Sequence, residues 1–308
     1  MPEGAIWVDT DMGFDDLAAI CLADGAGRAL AGLSTVAGNA PLRQVTANAL
    51  AARAAFGWDV AIHDGADAPL TQPPITAGYV LGETGMPTAG RSLTPVAGRV
   101  EPDPATDAIA RFVQNGGRDL LALGPLTNIA HLARTAPAAA GRLRITWMGG
   151  SAGPGNHTAA AEFNAAADPE AVAEMLAAGL DLRMVDLETC RQVTVDASDV
   201  APLRALAGGR AALLADLMQG YVDISKTGRM ALYDPVAAAA LAAPDCVTFS
   251  PARIDAELTG THTRGMTVVE WRARKAAPNA HVSRSADAPR IKELLGAGLA
   301  HAARKALP

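Results

Sequence analysis

The sequence has few cysteines, and none stands in a metal-binding or redox motif. Cys21, Cys190 and Cys246 are scattered and lack Cys-x-x-Cys spacing. This pattern predicts free, buried thiols in a cytoplasmic protein. The six histidines are also far apart, and none has His-x-x-x-His spacing. We therefore expect no zinc site built on Cys and His, and we expect each histidine to be structural or at the surface.

A block of basic residues is missing as well. The net charge is −6, which argues against nucleic acid or an anionic membrane surface as a partner. No apolar run approaches the roughly 20 residues needed to cross a bilayer. The N-terminus lacks the basic region, apolar core and small-residue cleavage site of a signal peptide. These absences predict a cytoplasmic protein without a membrane partner.

What the sequence does contain is an alternation of apolar, strand-length runs with alanine-rich helical segments. Of the 308 residues, 50% are hydrophobic and 19% are charged, enough for a large core. The predicted strands are Ala5–Asp9, Ala31–Val36, Val60–Ile62, Leu120–Leu123, Ile145–Met148 and Leu182–Val185. The predicted helices lie near Leu17–Ala26, Leu42–Phe56, Thr106–Asn115, Leu126–Arg134 and Pro169–Ala178. Because these strands read as buried on both faces, we predict an α/β fold with an open, mainly parallel central sheet and helices on both faces.

The pattern changes after Asp199, where helices dominate before a few short strands. The helices are predicted at Val200–Ala207, Arg210–Ser225, Pro235–Leu241 and Ala288–Ala306. The strands are predicted around Val247, Ala252–Leu258, Met266–Arg272 and His281–Val282. Between the first strands, Gly65–Pro104 is a long segment without periodicity, and loops of that length are usually functional or mobile. No repeat or linker is visible, so residues 1–308 are predicted to form one domain.

The first predicted strand ends in four carboxylates within eight residues: Asp9, Asp11, Asp15 and Asp16, which we call the opening cluster. Asp9 and Asp11 are two apart and would face the same side of a strand. Asp15 and Asp16 would open the next helix, where carboxylates suit the positive end of the dipole. Four negatively charged carboxylates this close together repel one another unless a cation neutralises them. The opening cluster therefore predicts a hard-metal site at the carboxyl end of the first strand.

Three interpretations of the opening cluster are open at this point. In the first, Asp15 or Asp16 caps a helix and Asp9 is a solvated turn residue, which explains four carboxylates together poorly. The second is the Asp-x-Asp of haloacid-dehalogenase phosphatases, but the threonine expected two places after the second Asp is replaced by Gly13. The third is the Asp-x-Asp-x-x-x-Asp-Asp of nucleoside hydrolases, which is matched at every carboxylate. The opening alone favours the third interpretation.

Further polar groups follow the later strands: Asn39, the Leu123 carbonyl, Asn156, Glu162, Asn164 and Asp234. In α/β sheets, ligands bind outside the carboxyl ends of the strands. Asp234 and the Leu123 carbonyl would complete the all-oxygen shell begun by the opening cluster, and oxygen ligands suit a calcium-like ion better than zinc. The Asn and Glu side chains offer donors and acceptors suited to a polyhydroxylated sugar.

Taken together, these motifs resemble the inosine-uridine nucleoside hydrolase family along nearly the whole chain. The motifs that carry the resemblance are Asp9-Thr10-Asp11, Asp15-Asp16, Gly38-Asn39, Gly124-Pro125-Leu126-Thr127-Asn128-Ile129-Ala130, Met148-Gly149-Gly150, Gly155-Asn156, Glu162-Phe163-Asn164, Asp168-Pro169-Glu170-Ala171, Asp234-Pro235 and Thr263-Arg264-Gly265-Met266-Thr267. Any one of them would be a weak signal. Their common order and spacing is a strong one, and the α/β fold of the family agrees with the alternation of strands and helices.

The resemblance implies Ca²⁺-dependent hydrolysis of the N-glycosidic bond of ribonucleosides, giving free base and ribose. The calcium ligands that it implies are Asp11, Asp16, Asp234 and the Leu123 carbonyl. Asp11 would also act as the general base that deprotonates a water molecule. Asp9 would support the metal ligands without binding the metal itself. The ribose hydroxyls would be held by Asp15, Asn39, Asn156, Glu162 and Asn164. The resemblance also implies a homodimer or homotetramer.

The chain departs from the family at the end of the site that would receive the base. Many members have a histidine directly before the late Asp, and here that residue is Tyr233. A second family histidine, in a mobile loop, corresponds to Leu81. Tyr233 would contact the base, and the acid step would fall to Glu83, to Tyr221 or to solvent, or would need no protein acid. The base preference is therefore expected to be atypical, and side chains from Gly78–Met86 and Gly220–Tyr233 are expected to line the base site. The alternative is a non-catalytic nucleoside or ribose binder that retains the metal cage.

Overall fold

The computed structural model describes residues 4–272, 274 and 276–305 of the chain. The strands are β1 Ile6–Thr10, β2 Leu30–Thr35, β3 Ile62–Asp64, β4 Asp119–Ala122, β5 Arg144–Met148, β6 Asp181–Val185, β7 Thr194–Asp196, β8 Arg229–Ala231, β9 Val247–Ala256, β10 Thr267–Glu270 and β11 Ala280–Ala286. The helices are α1 Phe14–Gly25, α2 Leu42–Phe56, α3 Gly78–Leu81, α4 Ala105–Gln114, α5 Thr127–Thr135, α6 Pro137–Ala140, α7 Phe163–Ala167, α8 Pro169–Ala177, α9 Leu187–Cys190, α10 Ala197–Arg204, α11 Gly209–Val222, α12 Asp234–Ala242 and α13 Ala288–Arg304, with a 3₁₀ turn at Pro244–Cys246.

The central sheet has nine strands in the order β10-β9-β11-β6-β5-β4-β1-β2-β3. From β11 to β3 every neighbouring pair is parallel. At the other edge, β9 pairs antiparallel with both β10 and β11. Strands β7 and β8 form a separate antiparallel pair. Since β1 lies between β2 and β4, the carboxyl ends of these three strands meet at one place on the sheet edge.

Helices cover both faces of this sheet because its strands alternate their side chains between two apolar clusters. In β1, Ile6 and Val8 belong to the cluster that contains α1, α2, α11, α12 and α13. Trp7, between them, belongs to the other cluster, which α4, α5 and α8 complete. All five residues of β1 are buried. The predicted α/β fold, with a mainly parallel sheet covered on both faces, is confirmed.

The boundaries differ from the sequence prediction at a few places. Helix α1 begins at Phe14 and not at Leu17, because the Asp16 carboxylate accepts the Gly13 N–H at 2.8 Å and ends the preceding turn. Strand β9 runs unbroken through Pro251, since β10 pairs only with residues 253–256 and Pro251 has a strand partner on one side alone. The short pair β7 and β8 was not predicted, because three-residue strands carry no periodicity. The predicted end of the last helix, Ala306, lies outside the described residues.

The predicted long loop, residues 65–104, contains one short helix, α3, and crosses the carboxyl edge of the sheet. Hydrogen bonds hold it at both ends. Leu70 N–H donates to the Asp168 carboxylate at 3.0 Å, and the Arg91 guanidinium contacts the Asp216 carboxylate at 2.9 Å. Between these anchors, Ala77 N–H donates to the backbone carbonyl of Asn39 at 3.2 Å. These hydrogen bonds therefore hold residues 65–104 over the ends of β1 and β2. Within the described residues, no helix combines the length and apolar character that crossing a membrane requires.

Candidate active site

A cavity of about 200 Å³ opens at the carboxyl ends of β1, β4 and β5, beneath the long loop. Its lining residues are Asp11, Asp15, Asn39, Ala77, Tyr79, Val80, Leu81, Leu123, Met148, Asn156, His157, Glu162, Phe163, Asn164, Tyr221, Met230, Tyr233 and Asp234. Strand ends supply the carboxylates and amides at one end. The long loop and the chain before α12 supply apolar and aromatic side chains at the other. We call the part lined by carboxylates and amides the polar end, and the part lined by the long loop and the chain before α12 the apolar end.

Asp11 is fixed by the turn that leaves β1. Its two carboxylate oxygens accept the backbone N–H of Asn39 at 2.8 Å and the side-chain amide of Asn39 at 3.0 Å. Met12, the next residue, is buried and has a φ of 29°, a strained conformation for a residue with a side chain. A Cβ atom on Gly38 would lie 2.1 Å from Asp11 Oδ2. Only glycine therefore allows the chain after β2 to pass so close to this carboxylate.

Asp15, Asp16 and Asp234 bring carboxylate oxygens within 4.8 Å of one another. Asp16 accepts hydrogen bonds from the Gly13 N–H at 2.8 Å and from the Thr10 hydroxyl at 2.5 Å. Asp234 begins α12, at the positive end of that helix. The sequence grouped Asp11 with Asp16 and Asp234, and the structure brings Asp15 into the same group of carboxylates. Asp11 lies beside this group, close enough to Asp16 for their charges to interact.

Burial raises the pKa of every carboxyl group in this cluster. The pKa of Asp15 rises to about 7 because the group is desolvated and faces the Asp16 charge. The pKa values of Asp11 and Asp234 rise well above the usual range, again by burial first and by neighbouring carboxylates second. Among the described residues, no Arg, Lys or His forms an ion pair with Asp11, Asp15, Asp16 or Asp234.

This cluster fits a hard metal ion. Its donors are all oxygen, they converge, and their negative charge has no cationic side chain to balance it. The Leu123 carbonyl, just past the end of β4, lines the same cavity. Asn164 donates its side-chain amide to this carbonyl and to that of Met148. The residues present can therefore hold a divalent cation, with carboxylates on several sides and a carbonyl oxygen from a strand end.

Glu162 is the N-cap of α7 and is buried at the edge of the cavity. Its carboxylate accepts the backbone N–H groups of Gly150, Asn164 and Ala165 at 2.8, 2.9 and 3.0 Å. Burial nevertheless outweighs these hydrogen bonds and raises its pKa to about 7. Asn156, in the glycine-rich loop after β5, is exposed, and its side-chain oxygen accepts the Phe163 N–H at 2.9 Å. The structure thus brings Glu162, Asn164 and Asn156 to one wall of the cavity.

Asp9 lies behind the cavity and does not line it. Its carboxylate accepts hydrogen bonds from the Ser34 hydroxyl and from the Asn128 amide, the latter at 2.8 Å. The Asp9 Oδ2 atom is buried without a hydrogen-bond partner, and burial raises the pKa of this group to about 6. Asp9 therefore ties β1 to β2 and α5, and its expected role in supporting the metal ligands stays a prediction.

The other end of the cavity contains Leu81 and Tyr233, at the two places where family histidines were expected. Burial raises the pKa of Tyr233 to about 12, so its phenol stays protonated at neutral pH. The Tyr221 hydroxyl donates to the Ala231 carbonyl at 2.8 Å. Glu83 is exposed and does not line the cavity. Of the acid candidates named from the sequence, neither Tyr221 nor Glu83 has a free group facing the cavity.

Tyr79 and Met230 lie in Gly78–Met86 and Gly220–Tyr233, the two segments expected from the sequence to line the base site, whereas His157 and, as a contact in its own right, Phe163 were missed. The Tyr79 hydroxyl and His157 Nδ1 are 3.1 Å apart. The rings of His157 and Phe163 meet edge to face, with centroids 5.5 Å apart. The one available signal was that His157 directly follows Asn156 in the glycine-rich loop.

Comparison with known proteins identifies relatives along nearly the whole chain. The sequence profile of the family described as inosine-uridine preferring nucleoside hydrolase matches residues 6–293. The chain is 37% identical over 287 residues to the non-specific ribonucleoside hydrolase RihC of Klebsiella pneumoniae subsp. pneumoniae, covering 92% of this chain and 93% of that protein. A purine-preferring ribonucleoside hydrolase from Gardnerella vaginalis superposes with a TM-score of 0.91 at 26% identity, covering 98% of this chain and 100% of that chain. A plant nucleoside hydrolase gives a TM-score of 0.90 at 25% identity, over 97% and 99% of the two chains.

Proposed function

Because the chain belongs to the inosine-uridine preferring nucleoside hydrolase family, we propose that it hydrolyses the N-glycosidic bond of ribonucleosides to free base and ribose. The observation that carries this proposal is the two-ended cavity. Its polar end offers carboxylates and amides to a sugar, and its apolar end offers aromatic side chains to a planar base. A nucleoside joins these two chemistries through the bond that the reaction breaks.

The metal ion of this reaction is proposed to be Ca²⁺, held by Asp11, Asp16, Asp234 and the Leu123 carbonyl. The oxygen-only donor set supports a calcium-like ion, and Asp15 is close enough to the group to take part. A bound divalent cation supplies positive charge, which lowers the pKa of a nearby water and orients the ribose hydroxyls.

Asp11 is proposed as the general base. Asn39 fixes both of its carboxylate oxygens from the side, so the carboxylate is oriented before substrate arrives. Asp11 would take the proton of a water whose oxygen attacks C1′ of the ribose, while the electron pair of the glycosidic bond leaves with the base. The sugar passes through an oxocarbenium-like state, and the surrounding carboxylates stabilise its positive charge.

The ribose hydroxyls are proposed to bind to the polar groups on the cavity walls: Asp15, Asn39, Asn156, Glu162 and Asn164. Asp15 would hold the 2′-hydroxyl together with the metal ion, which predicts a preference for ribonucleosides over 2′-deoxynucleosides. The base would lie between Leu81 and Tyr233. Since neither offers an imidazole, the base preference is proposed to be atypical. The cytoplasmic location, the single domain and the homodimer or homotetramer remain predictions.

The test is release of ribose from a panel of nucleosides by calcium-loaded protein. The panel contains purine and pyrimidine ribonucleosides, their 2′-deoxy forms, nicotinic acid riboside and modified nucleosides. We expect ribose from at least one ribonucleoside, and at least 100-fold slower release from its 2′-deoxy form because a contact made in the transition state is lost. Calorimetric binding of nucleosides without any product over hours would instead identify a non-catalytic binder.

A further inference from the structure

The proposed reaction needs a group that stabilises the negative charge on the departing base. When the glycosidic bond breaks, its electron pair stays on the base nitrogen. A hydrogen-bond donor at that end of the cavity lowers the energy of the transition state, because the donor is aimed at the place where the charge develops. Leu81 has no polar side-chain atom, and the Tyr221 hydroxyl already donates to the Ala231 carbonyl. The lining residues also include the protonated phenol of Tyr233, which is placed against the base, and the imidazole of His157.

Tyr79 and His157 come from two separate segments of the chain and contact each other at the wall of the cavity. Tyr79 belongs to α3 in the long loop, and His157 belongs to the glycine-rich loop after β5. Both line the cavity, and the Tyr79 hydroxyl lies 3.1 Å from His157 Nδ1. The edge-to-face contact with Phe163 supports the imidazole from another side. The ring is thus held by two contacts, next to the wall that carries Glu162.

The 3.1 Å contact between the Tyr79 hydroxyl and His157 Nδ1 can form with either tautomer of the ring, and we assign the one in which Tyr79 donates. Tyr79 is 69% exposed, so water can donate to its oxygen while its own proton is given to Nδ1. A neutral imidazole with an accepting Nδ1 carries its proton on Nε2. Burial lowers the pKa of His157, which favours this neutral form at pH 7. The Nε2–H group is then available to a ligand in the cavity.

We propose that His157, oriented by Tyr79, donates a hydrogen bond from Nε2 to the departing base. This inference rests on the proposed function and assigns its leaving-group residue. In the reaction, the bond between C1′ and the base nitrogen breaks and a bond between C1′ and the water oxygen forms. The water proton goes to Asp11. The base leaves with the electron pair, its charge stabilised by the Nε2–H of His157, and then takes a proton from solvent. His157 is a catalytic residue and Tyr79 a positioning residue.

The experiment compares leaving groups that differ in their need for stabilisation. We assay wild-type protein, His157→Gln and Tyr79→Phe with two substrates. One is the best ribonucleoside of the panel, and the other is p-nitrophenyl β-D-ribofuranoside, whose leaving group departs as p-nitrophenolate, an anion that is stable without a hydrogen-bond donor. For His157→Gln we expect kcat/KM to fall about 100-fold with the nucleoside and less than about threefold with the nitrophenyl riboside. For Tyr79→Phe, which keeps the ring, we expect about a 10-fold loss with the nucleoside alone.

The matched control is His262→Gln, since His262 is exposed and does not line the cavity. It should match wild type with both substrates, and thermal unfolding should show that all variants are folded. An equal loss with both substrates in His157→Gln, or no loss with either, overturns the inference while leaving the proposed function in place. If the wild-type protein hydrolyses neither substrate, the proposed function fails and the inference falls with it.

Discussion

Asn164 donates its side-chain amide to the Leu123 carbonyl at 2.8 Å and, from the same nitrogen, to the Met148 carbonyl at 3.0 Å. These carbonyls belong to the ends of β4 and β5, and Asn164 is only 5% exposed. One buried amide therefore sets the direction of a carbonyl that we propose as a metal ligand. The sequence suggested a sugar contact for Asn164, and the structure adds this second task.

Replacing Asn164 by alanine should therefore weaken metal binding. The variant leaves two buried carbonyls without their donor, so the Leu123 oxygen loses the hydrogen bond that orients it. We expect the Kd for Ca²⁺, measured by calorimetric titration, to rise about 10- to 100-fold, as is usual when a supporting contact to a metal ligand is lost. Asn156→Ala is the matched control, because Asn156 lines the cavity but touches no proposed ligand. An equal change in both variants would contradict this account.

Asp11→Asn should abolish turnover and leave the fold intact. The amide keeps the shape of the side chain but can neither accept the proton of the attacking water nor add negative charge beside Asp16. We expect kcat to fall by at least about 1000-fold, since general-base and charge contributions are lost together. The assay is ribose release at saturating Ca²⁺, with circular dichroism to confirm folding. Asp223→Asn, at an exposed position after α11, should retain full activity. Substantial turnover by Asp11→Asn would transfer the role of base to another group.

Removing the metal ion should destabilise the protein more at neutral pH than at pH 5. Without a cation, burial raises the pKa of Asp15 to about 7 and that of Asp9 to about 6. A carboxyl group whose folded pKa is raised stabilises the fold fully below its unfolded pKa, and this stabilisation is lost as the pH rises through the folded pKa. The metal-free protein should therefore lose stability between about pH 4 and pH 7.

The measurement is thermal unfolding of dialysed protein with and without added Ca²⁺ at pH 5 and at pH 7.5. We expect saturating Ca²⁺ to raise the Tm by roughly 5 °C or more at pH 7.5. The difference should shrink at pH 5, because protons compete with the cation for the carboxylates. The same difference at both pH values would show that the buried carboxylates are not the groups to which the cation binds.

Gly38→Ala should impair catalysis without unfolding the protein. The added Cβ would lie 2.1 Å from Asp11 Oδ2, so the carboxylate or the chain before Asn39 must move. A displacement on the order of 1 Å in a catalytic group can cost about 100-fold in rate, and we expect kcat to fall by about that factor. Gly296→Ala is the control, since a Cβ there meets open space and alanine suits a helix interior better than glycine. An unchanged kcat in Gly38→Ala would mean that the Asp11 carboxylate tolerates displacement.

The polar end of the cavity could be predicted from the sequence because simple periodicities place it. Asp9 lies near the end of a buried strand and Asp11 just past it, and the carboxyl ends of parallel strands meet at one edge of the sheet. Asn39 and the Leu123 carbonyl follow the two neighbouring strands for the same reason. The sequence could not show that Asp15 joins Asp16 and Asp234, because that depends on the sharp turn at Met12.

The apolar end could not be predicted to the same extent. Tyr79 lies in a segment without periodicity, so neither its single helical turn nor its position over the cavity follows from pattern. Its contact with His157 joins two loops that no rule of sequence spacing connects. The sequence reading placed His157 among structural or surface residues. Its ring is indeed half-buried, but it lines the cavity. Loop-to-loop contacts of this kind depend on tertiary packing alone.

Asp234 lies more than 200 residues after Asp16 in the chain, yet their carboxylates face each other. During synthesis, the opening cluster leaves the ribosome long before the residue that closes it. A nascent or truncated chain that ends before α12 therefore has an incomplete set of ligands, and its exposed acidic residues can hold a cation only weakly. Tight binding of a cation at the proposed site would therefore require that α12 has been synthesised and has packed against α1.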